Sequence, residues 1–363
     1  MKILYILDHK PTLSETFITN EINSIQQNFH EINLNVFTIR ENPLSFTLAS
    51  FKNMLDFSTY RESLTLPLKL LKLVSIIEEF KPDIIHCHYA SAPASVGLWL
   101  SKRYNIPYGF TCHARDLFVD AKNLRKKIEK AEYVICISEY NRNYIYENFG
   151  RIDNKIYVNY LGVEIPKLPR INLLHKDNIQ ICTIARSVKK KGVDNAIQMT
   201  AYLNEMGYNT TLHYIGNGPE YNNLVKLSTR CGMKGKVIFY GALSNNEAMN
   251  ILEQCSLFVL LALIDSQGDR DGIPVSFMEA MARGIPVIAT AISGIPEIVR
   301  NAENGFLVEP DNFQNIENII SQIIQDKKLY ETLSINSYNT IKEKFDLKTN
   351  IKRLVEILKE SSL

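Results

Sequence analysis

The residues with the most chemistry in one short run are Asp269-Arg270-Asp271-Gly272-Ile273-Pro274-Val275-Ser276-Phe277-Met278-Glu279, followed by Ala280 to Thr290. Pro274 suits the first position of a helix, and Gly284 suits the C′ position that ends one. The loop before Pro274, with Gly272 and Ile273, therefore delivers a helix N-terminus that starts at Pro274 and carries Val275 in its first turn. Its unpaired amides suit a phosphate or sugar hydroxyls. Glu279 falls inside that helix, where a carboxylate can accept two hydroxyls at once, as a ribose diol requires. Taken alone, the unit also fits an ordinary surface helix. A second candidate is Ile181-Cys182-Thr183-Ile184-Ala185-Arg186, followed by Ser187-Val188-Lys189-Lys190-Lys191-Gly192. It reads as a strand tipped by Arg186, then a turn that ends on Lys191 before the next helix. Two cations there can neutralise a diphosphate leaving group as its charge develops. A solvated lysine-rich turn accounts for Lys189 and in part Lys190, and less well for Arg186 and Lys191.

In the first half, His113 stands just past a strand end in Phe110-Thr111-Cys112-His113-Ala114-Arg115-Asp116, where a lone histidine is usually structural. His86 and His88 lie two apart on a strand, so their imidazoles share a face and invite a metal. No third and fourth ligand are evident, and no metal is expected. The first strand-to-helix turn, Pro11 to Phe17 with Ser14 and Glu15, lacks a glycine fingerprint, which argues against a nicotinamide cofactor.

The string from Asp271 to Glu279 resembles the acid-x7-acid motif of the retaining glycosyltransferases of family four, which have the GT-B fold: α/β, with two facing Rossmann-like doubly wound domains and a cleft between them. The resemblance implies that Glu279 binds the nucleotide ribose. It places Asp271, where the family has glutamate, near the donor sugar. Arg186 and Lys191 resemble the family's Arg-x4-Lys-Gly diphosphate clamp. Gly216 lies in a turn like the family's strand-to-helix glycine turn. Tyr240 lies in a segment like the one whose backbone faces the base, and Gly294 in one like the loop near the phosphates. His113 resembles the active-site histidine that reaches toward the donor sugar, and Asp116 the acid that follows it, which the resemblance places on the acceptor side. The Ser14–Glu15 turn resembles the acceptor-facing loop of bacterial polysaccharide enzymes in the family. Asp269-Arg270-Asp271 also looks like the metal-binding acid pair of the other major transferase fold. It lies inside the acid-x7-acid string, however, and is read as non-metal.

What the resemblance implies is a metal-independent transfer of a hexosyl group, with retention, from a nucleotide diphosphate sugar to an acceptor hydroxyl. The setting is bacterial polysaccharide or glycolipid assembly, the acceptor a saccharide or lipid-linked saccharide, with no cofactor besides the donor substrate. Two alternatives stay open: a sugar-nucleotide epimerase of similar fold, and a non-catalytic partner subunit. Intact His113, Arg186, Lys191 and Glu279 argue against the second, while Asp271 keeps it open.

These residues need a frame to hold them. Apolar runs bounded by turn residues alternate with helical stretches, which predicts parallel sheets covered on both faces. Strands are expected over residues 2–7, 33–39, 84–88, 108–112, 133–137 and 155–160, then 178–185, 211–215, 236–240, 257–261, 286–290 and 305–308. Helices are expected over 15–27, 68–80, 94–104, 193–206, 220–231, 245–254 and 274–283. Residues 164–170 hold two prolines without periodicity and read as a linker. The tail from Asn336 reads as amphipathic helix broken near Phe345-Asp346. The expected domains are residues 1–167, joined by the last helix at about 345–363, and 168–344. Ligands should then bind at strand carboxyl ends, in the cleft between the domains.

The bulk numbers fit this frame. A chain of 363 residues is long for one core and comfortable for two. A net charge of +2 gives no field that would select nucleic acid. The six cysteines form no Cys-x-x-Cys pair, which fits buried free thiols in a reducing cytosol. Residues 1–8 read as a short strand and not a signal peptide, and no apolar run is long enough to span a bilayer. The expected location is cytoplasmic. Lys122, Arg125, Lys126, Lys127 and Lys130 make a basic helical stretch that suits an anionic membrane surface.

Overall fold

The computed structural model describes residues 1–12, 15–40, 68–151 and 155–362. The first half runs β1 (Lys2–Leu7), α1 (Thr16–Asn28), β2 (Asn33–Thr38), α2 (Leu68–Phe80), β3 (Ile84–His88), α3 (Ala92–Tyr104), β4 (Tyr108–Cys112), α4 (Arg115–Phe118), α5 (Leu124–Lys130), β5 (Tyr133–Cys136), α6 (Glu139–Phe149) and β6 (Ile156–Val158). The second half runs β7 (Ile179–Ile184), a 3-10 turn (Lys189–Lys191), α7 (Val193–Glu205), β8 (Thr210–Ile215), α8 (Tyr221–Arg230), β9 (Val237–Gly241), α9 (Asn245–Leu252), β10 (Leu257–Leu260), α10 (Val275–Met281), β11 (Val287–Thr290), α11 (Ile295–Ile298) and β12 (Gly305–Val308). Three helices follow: α12 (Phe313–Gln325), α13 (Lys327–Lys344) and α14 (Leu347–Ser361).

The strands form two six-stranded sheets, ordered β2-β1-β3-β4-β5-β6 and β12-β11-β10-β7-β8-β9. The pairings are parallel throughout. The central strands are covered on both faces: β3, β4, β10 and β11 are buried at each position. Strand order reverses between β1 and β3 in one sheet and between β7 and β10 in the other. Doubly wound folds bind ligands at such points, because the loops leaving the two strands diverge to opposite faces and open a crevice.

The second sheet has one core running from Val163 to Phe345. The first sheet has a core on each face, and one of them is completed by α14, whose Leu347, Ile351, Leu354, Val355 and Leu358 pack with Ile3, Tyr5, Ile84 and Tyr133. The break between α13 and α14 falls at Phe345, which is fully buried, and Asp346, whose carboxylate caps Thr349 N at 2.9 Å. Helix α10 starts one residue later than expected, with Pro274 as its N-cap. It ends as expected: Gly284 N donates to Met281 O and Ile285 N to Ala280 O, the paired bonds of a Schellman motif.

The basic stretch departs from expectation. Helix α5 buries Leu124, Lys127 and Ile128. The Lys127 ammonium donates to Ala90 O at 2.6 Å and Ser91 O at 3.0 Å, and burial draws its pKa down to about 8. Lys127 is therefore part of the interior and is unavailable to a membrane. Arg125 pairs with Glu129 at 2.9 Å, and Lys122, Lys126 and Lys130 are exposed. Among the described residues no helix is long and apolar enough to cross a membrane. The six cysteines are free, and all but Cys231 are buried.

Candidate functional site

The loop after β10 meets the loops that follow β4 and β5 in the first half. Past β7, Arg186 is exposed, and its guanidinium has no hydrogen-bond or ion-pair partner among the described residues. The strand tip is held against the Gly216 turn. Ser187 N donates to Asn217 O at 3.0 Å, and a Cβ on Gly216 would lie 1.8 Å from Ala185 O. Gly216 is required there because its φ of +151° and this close approach exclude a side chain. It shapes the loop that carries Arg186.

The other two cations of the turn are paired. Lys191 Nζ lies 2.7 Å from Asp271 Oδ2, and Lys190 Nζ lies 3.4 Å from Asp271 Oδ1 and 3.0 Å from Asp269 Oδ1. Burial would raise the Asp271 pKa, but Lys191 and then Lys190 hold it below the usual carboxylate range. Lys190, which reads in sequence as part of a solvated turn, is thus a member of the site. Only a tertiary contact with the loop after β10 reveals it.

Glu279 is half-buried, and its Oε1 accepts from Asn245 Nδ2 at 2.7 Å. Burial raises its pKa, against the opposing effects of Asn245 and Arg283. Val275, the first residue of α10, is partly exposed on the same segment. Tyr240 donates or accepts at His213 Nδ1, 2.9 Å away, on the edge strand β9.

Across the cleft, the loop carrying Asp271 meets the first half. A Cβ on Gly272 would lie 3.0 Å from Ile137 Cδ1 and 3.6 Å from His113 O. A Cβ on Gly294 would lie 2.8 Å from Ile273 Cγ1 and 3.1 Å from Ser138 Cβ. Both glycines therefore let the loops of the second half approach the end of β5 and the start of α6. Helix caps, a cation–ring contact and a hydrogen bond fasten the approach. Glu297 accepts from Glu139 N and Tyr140 N, each at 2.8 Å, so a carboxylate from one half caps a helix of the other. Arg270 stacks over the Phe118 ring at 4.8 Å and donates to Tyr140 Oη at 3.0 Å.

His113 is buried, with the rings of Phe17 and Tyr89 at centroid distances of 4.9 and 4.6 Å. Burial, then His88 and His86, draws its pKa well below the usual histidine value, so the imidazole is neutral. Asp116 takes a different role from the one expected. It is buried, its Oδ2 accepts from Ala90 N at 2.7 Å and its Oδ1 from His113 N at 3.1 Å. These bonds occupy its carboxylate and fix the backbone of His113, so it orients the histidine and does not offer itself to an acceptor. Burial raises its pKa to about 6. Glu15 organises the turn before α1, accepting from Thr12 N at 2.9 Å and Tyr89 Oη at 2.5 Å. Ser14 lies outside the described residues.

His86 and His88 share a face, and Glu21 on α1 brings a third group, their ligand atoms lying within 4.8 Å of one another. These atoms already bond elsewhere: His88 Nε2 with Glu21 at 3.0 Å, and His86 with Tyr133 Oη at 2.8 Å and Thr111 Oγ1 at 3.2 Å. A metal would have to displace those bonds.

Comparison with known proteins bears on the family and the fold. The family model described as glycosyl transferases group 1 matches residues 164–340, and that of Glycosyltransferase Family 4 matches residues 34–166. An uncharacterized glycosyltransferase of Methanocaldococcus jannaschii is 29% identical over 63% of this chain, and the putative colanic acid biosynthesis glycosyltransferase WcaL of Escherichia coli is 28% identical over 64%. The matched stretch spans only 58% and 59% of those two relatives' own length. The crystal structure of Anabaena HepE in complex with UDP and glucose superposes with a TM-score of 0.74 at 21% identity, covering 99% of each chain, which establishes likeness of fold.

Proposed function

This chain belongs to the glycosyltransferases of the Family 4 type, with the GT-B fold, and from that premise we propose that it moves a hexosyl group from a nucleotide diphosphate sugar to an acceptor hydroxyl, with retention at the anomeric carbon. The observation that carries the reading is the charge arrangement after β7 and β10. Arg186 is an unpaired cation at a strand tip, and Lys190 and Lys191 are held by Asp269 and Asp271 beside the start of α10.

A diphosphate entering this loop gains Arg186 at once. As its negative charge grows on departure from the sugar, it competes with Asp269 and Asp271 for the two lysines. Fixed cations aimed at the developing charge do the work that a metal would otherwise do. Glu279 accepts the ribose diol, and neutral His113 borders the donor sugar. No second carboxylate is assigned as a nucleophile. The acceptor attacks from the face the leaving group departs, and the phosphate oxygen helps take its proton. Retention and metal independence rest on the family resemblance and on this charge arrangement.

The name of the colanic acid relative supports an acceptor drawn from polysaccharide assembly, free or lipid-linked. Attachment to an anionic membrane surface would fall to exposed Lys122, Lys126 and Lys130. Neither an epimerase nor a non-catalytic subunit is favoured by the family matches.

Incubation with nucleotide sugars and saccharide acceptors tests the proposal. Free nucleoside diphosphate and a glycoside of unchanged anomeric configuration are expected, and turnover should survive a chelator. An isomerised sugar nucleotide, or activity lost to chelation and restored by manganese, would contradict it.

A further inference from the structure

The chain crosses between its halves twice, at residues 160–163 and 345–347, and the two crossings are tied together. Val163 N donates to Phe345 O at 3.0 Å, and Leu347 N donates to Val163 O at 3.1 Å. A Cβ on Gly162 would lie 2.5 Å from Leu347 Cα, so the crossings touch backbone to backbone. The Tyr160 ring packs on buried Phe345 at a centroid distance of 5.0 Å. Adjacent crossings define a hinge axis. A few residues there can absorb a rotation, so the axis alone does not set the angle between the halves.

Glu297 stands beside that axis. It lies on α11, whose Ile295 and Ile298 are fully buried in the core of the second half, so its backbone is fixed to that half. Its carboxylate reaches the first half at three points. Oε2 accepts from Glu139 N at 2.8 Å and from Tyr160 Oη at 2.9 Å, and Oε1 accepts from Tyr140 N at 2.8 Å. The two amides open α6 and have no acceptor within the helix. These bonds are charge-assisted, and the carboxylate sits at the positive end of the helix. Two other polar contacts across the cleft are weaker constraints, because both depend on a long arginine side chain. Arg115 lies 3.5 Å from Asp269 and is mostly exposed, and Arg270 meets the Tyr140 phenol at 3.0 Å. Gly294, three residues before Glu297, is pressed between Ile273 and Ser138, which joins this contact to the loop that carries Asp271.

We propose that Glu297 is a positioning residue, a brace beside the hinge that fixes the angle between the two halves and so aligns the Asp271 loop with the first half. The angle stands on the geometry alone. Its consequence for sugar transfer rests on the proposed function above.

The test is the distance between two spin labels on the full chain. They are placed at Lys102→Cys on α3 and Lys226→Cys on α8, both exposed, with Cys231→Ser removing the one cysteine that is not buried. This background should give one narrow distance distribution, and Glu297→Ala a broadened or shifted one. Glu297→Gln keeps one acceptor oxygen and Tyr160→Phe loses one bond of the three, so both should fall between. In Glu297→Ala, kcat should fall about 10- to 100-fold, the scale of a small misalignment of reacting groups. Affinity for nucleotide diphosphate should be unchanged, since the proposed contacts to it lie within the second half. A merely structural role would lower Tm without moving the distances. A distribution unmoved in folded Glu297→Ala overturns the proposal. Where that variant fails to fold, distributions unmoved in both Glu297→Gln and Tyr160→Phe overturn it equally. Distances that move while kcat stays at the wild-type level overturn the role in alignment. If the distances move as expected but the wild type transfers no sugar, the proposed function falls and the brace stands.

Discussion

The crevice at β7 and β10 and the crevice at β1 and β3 occupy matching places in their sheets, yet they handle charge in opposite ways. Past β7, Arg186 is exposed, and Lys190 and Lys191 face Asp269 and Asp271 on a neighbouring loop. At β1 and β3, Glu21, His86 and His88 are buried, with Glu21 3.0 Å from His88 and 4.0 Å from His86, and His113 lies alongside. A charge-balanced loop whose cations can change partners suits an anion that arrives and leaves. A buried polar network suits the orientation of one group. On the proposed function, the two crevices divide binding from positioning.

The clamp should show the largest effects. Arg186→Ala and Lys191→Ala should each weaken nucleotide sugar binding by about 1.5–3 kcal/mol, the range for a charge-assisted contact, or about 10- to 150-fold. They should differ in stability. Arg186 has no protein partner, so its removal should leave Tm unchanged, whereas Lys191→Ala leaves buried Asp271 with only Lys190 at 3.4 Å and should lower Tm. Calorimetric titration and thermal unfolding check both. Equal stability losses, or no change in affinity, would remove the distinction drawn between a free and a paired cation.

Asp271 sharpens the comparison from the other side. Asp271→Ala should lower turnover by about tenfold or more, the scale of one charge-assisted contact. Nucleotide diphosphate without sugar should bind at least as well, because the substitution frees Lys191 from a partner at 2.7 Å. Weaker diphosphate binding in this variant would argue that Asp271 supports the clamp instead of competing with it.

A smaller effect separates the two acids by pH. The folded pKa of Asp271 is depressed, so its contribution is present above the unfolded value of about 3.9 and is lost as pH falls through the folded value. The folded pKa of Glu279 is raised by burial, so its contribution is present below about 4.3 and is lost as pH rises through the folded value. At pH 7, Asp271→Asn should lower Tm and Glu279→Gln should raise it slightly. The Glu279→Gln difference should shrink toward pH 4, and the Asp271→Asn difference below it. Thermal unfolding across pH 3.5 to 8 reads both slopes, and slopes of the same sign would contradict the assigned environments.

Much of this was legible in the sequence, and the rest fails for identifiable reasons. The strands are apolar runs closed by turn residues, and α10 announces itself by Pro274 and Gly284. Helix α6 does not, because Glu139–Phe149 buries only Asn141 and Ile145 and shows no apolar stripe; its sign is the Ser138 cap on Asn141 N at 3.0 Å. Helix α12 carries Ile316, Ile319, Ile320 and Ile323 at helical spacing, a signal that the sequence does hold. Glu21 has no local signal, since its partners Tyr5 and His88 stand 16 and 67 residues away. Lys127 looks like its exposed neighbours and is distinguished only by the carbonyls of Ala90 and Ser91 brought to it by the fold.

The central claim is that the second half binds the donor nucleotide through Glu279 on α10. Titration of nucleotide diphosphate, and separately of nucleotide sugar, into wild type and Glu279→Ala tests it most directly. Both ligands should bind the variant more weakly by a similar factor, about tenfold or more for a carboxylate that accepts two hydroxyls. Nucleotide diphosphate binding to Glu279→Ala as tightly as to wild type would contradict the assignment on which the rest of the site depends.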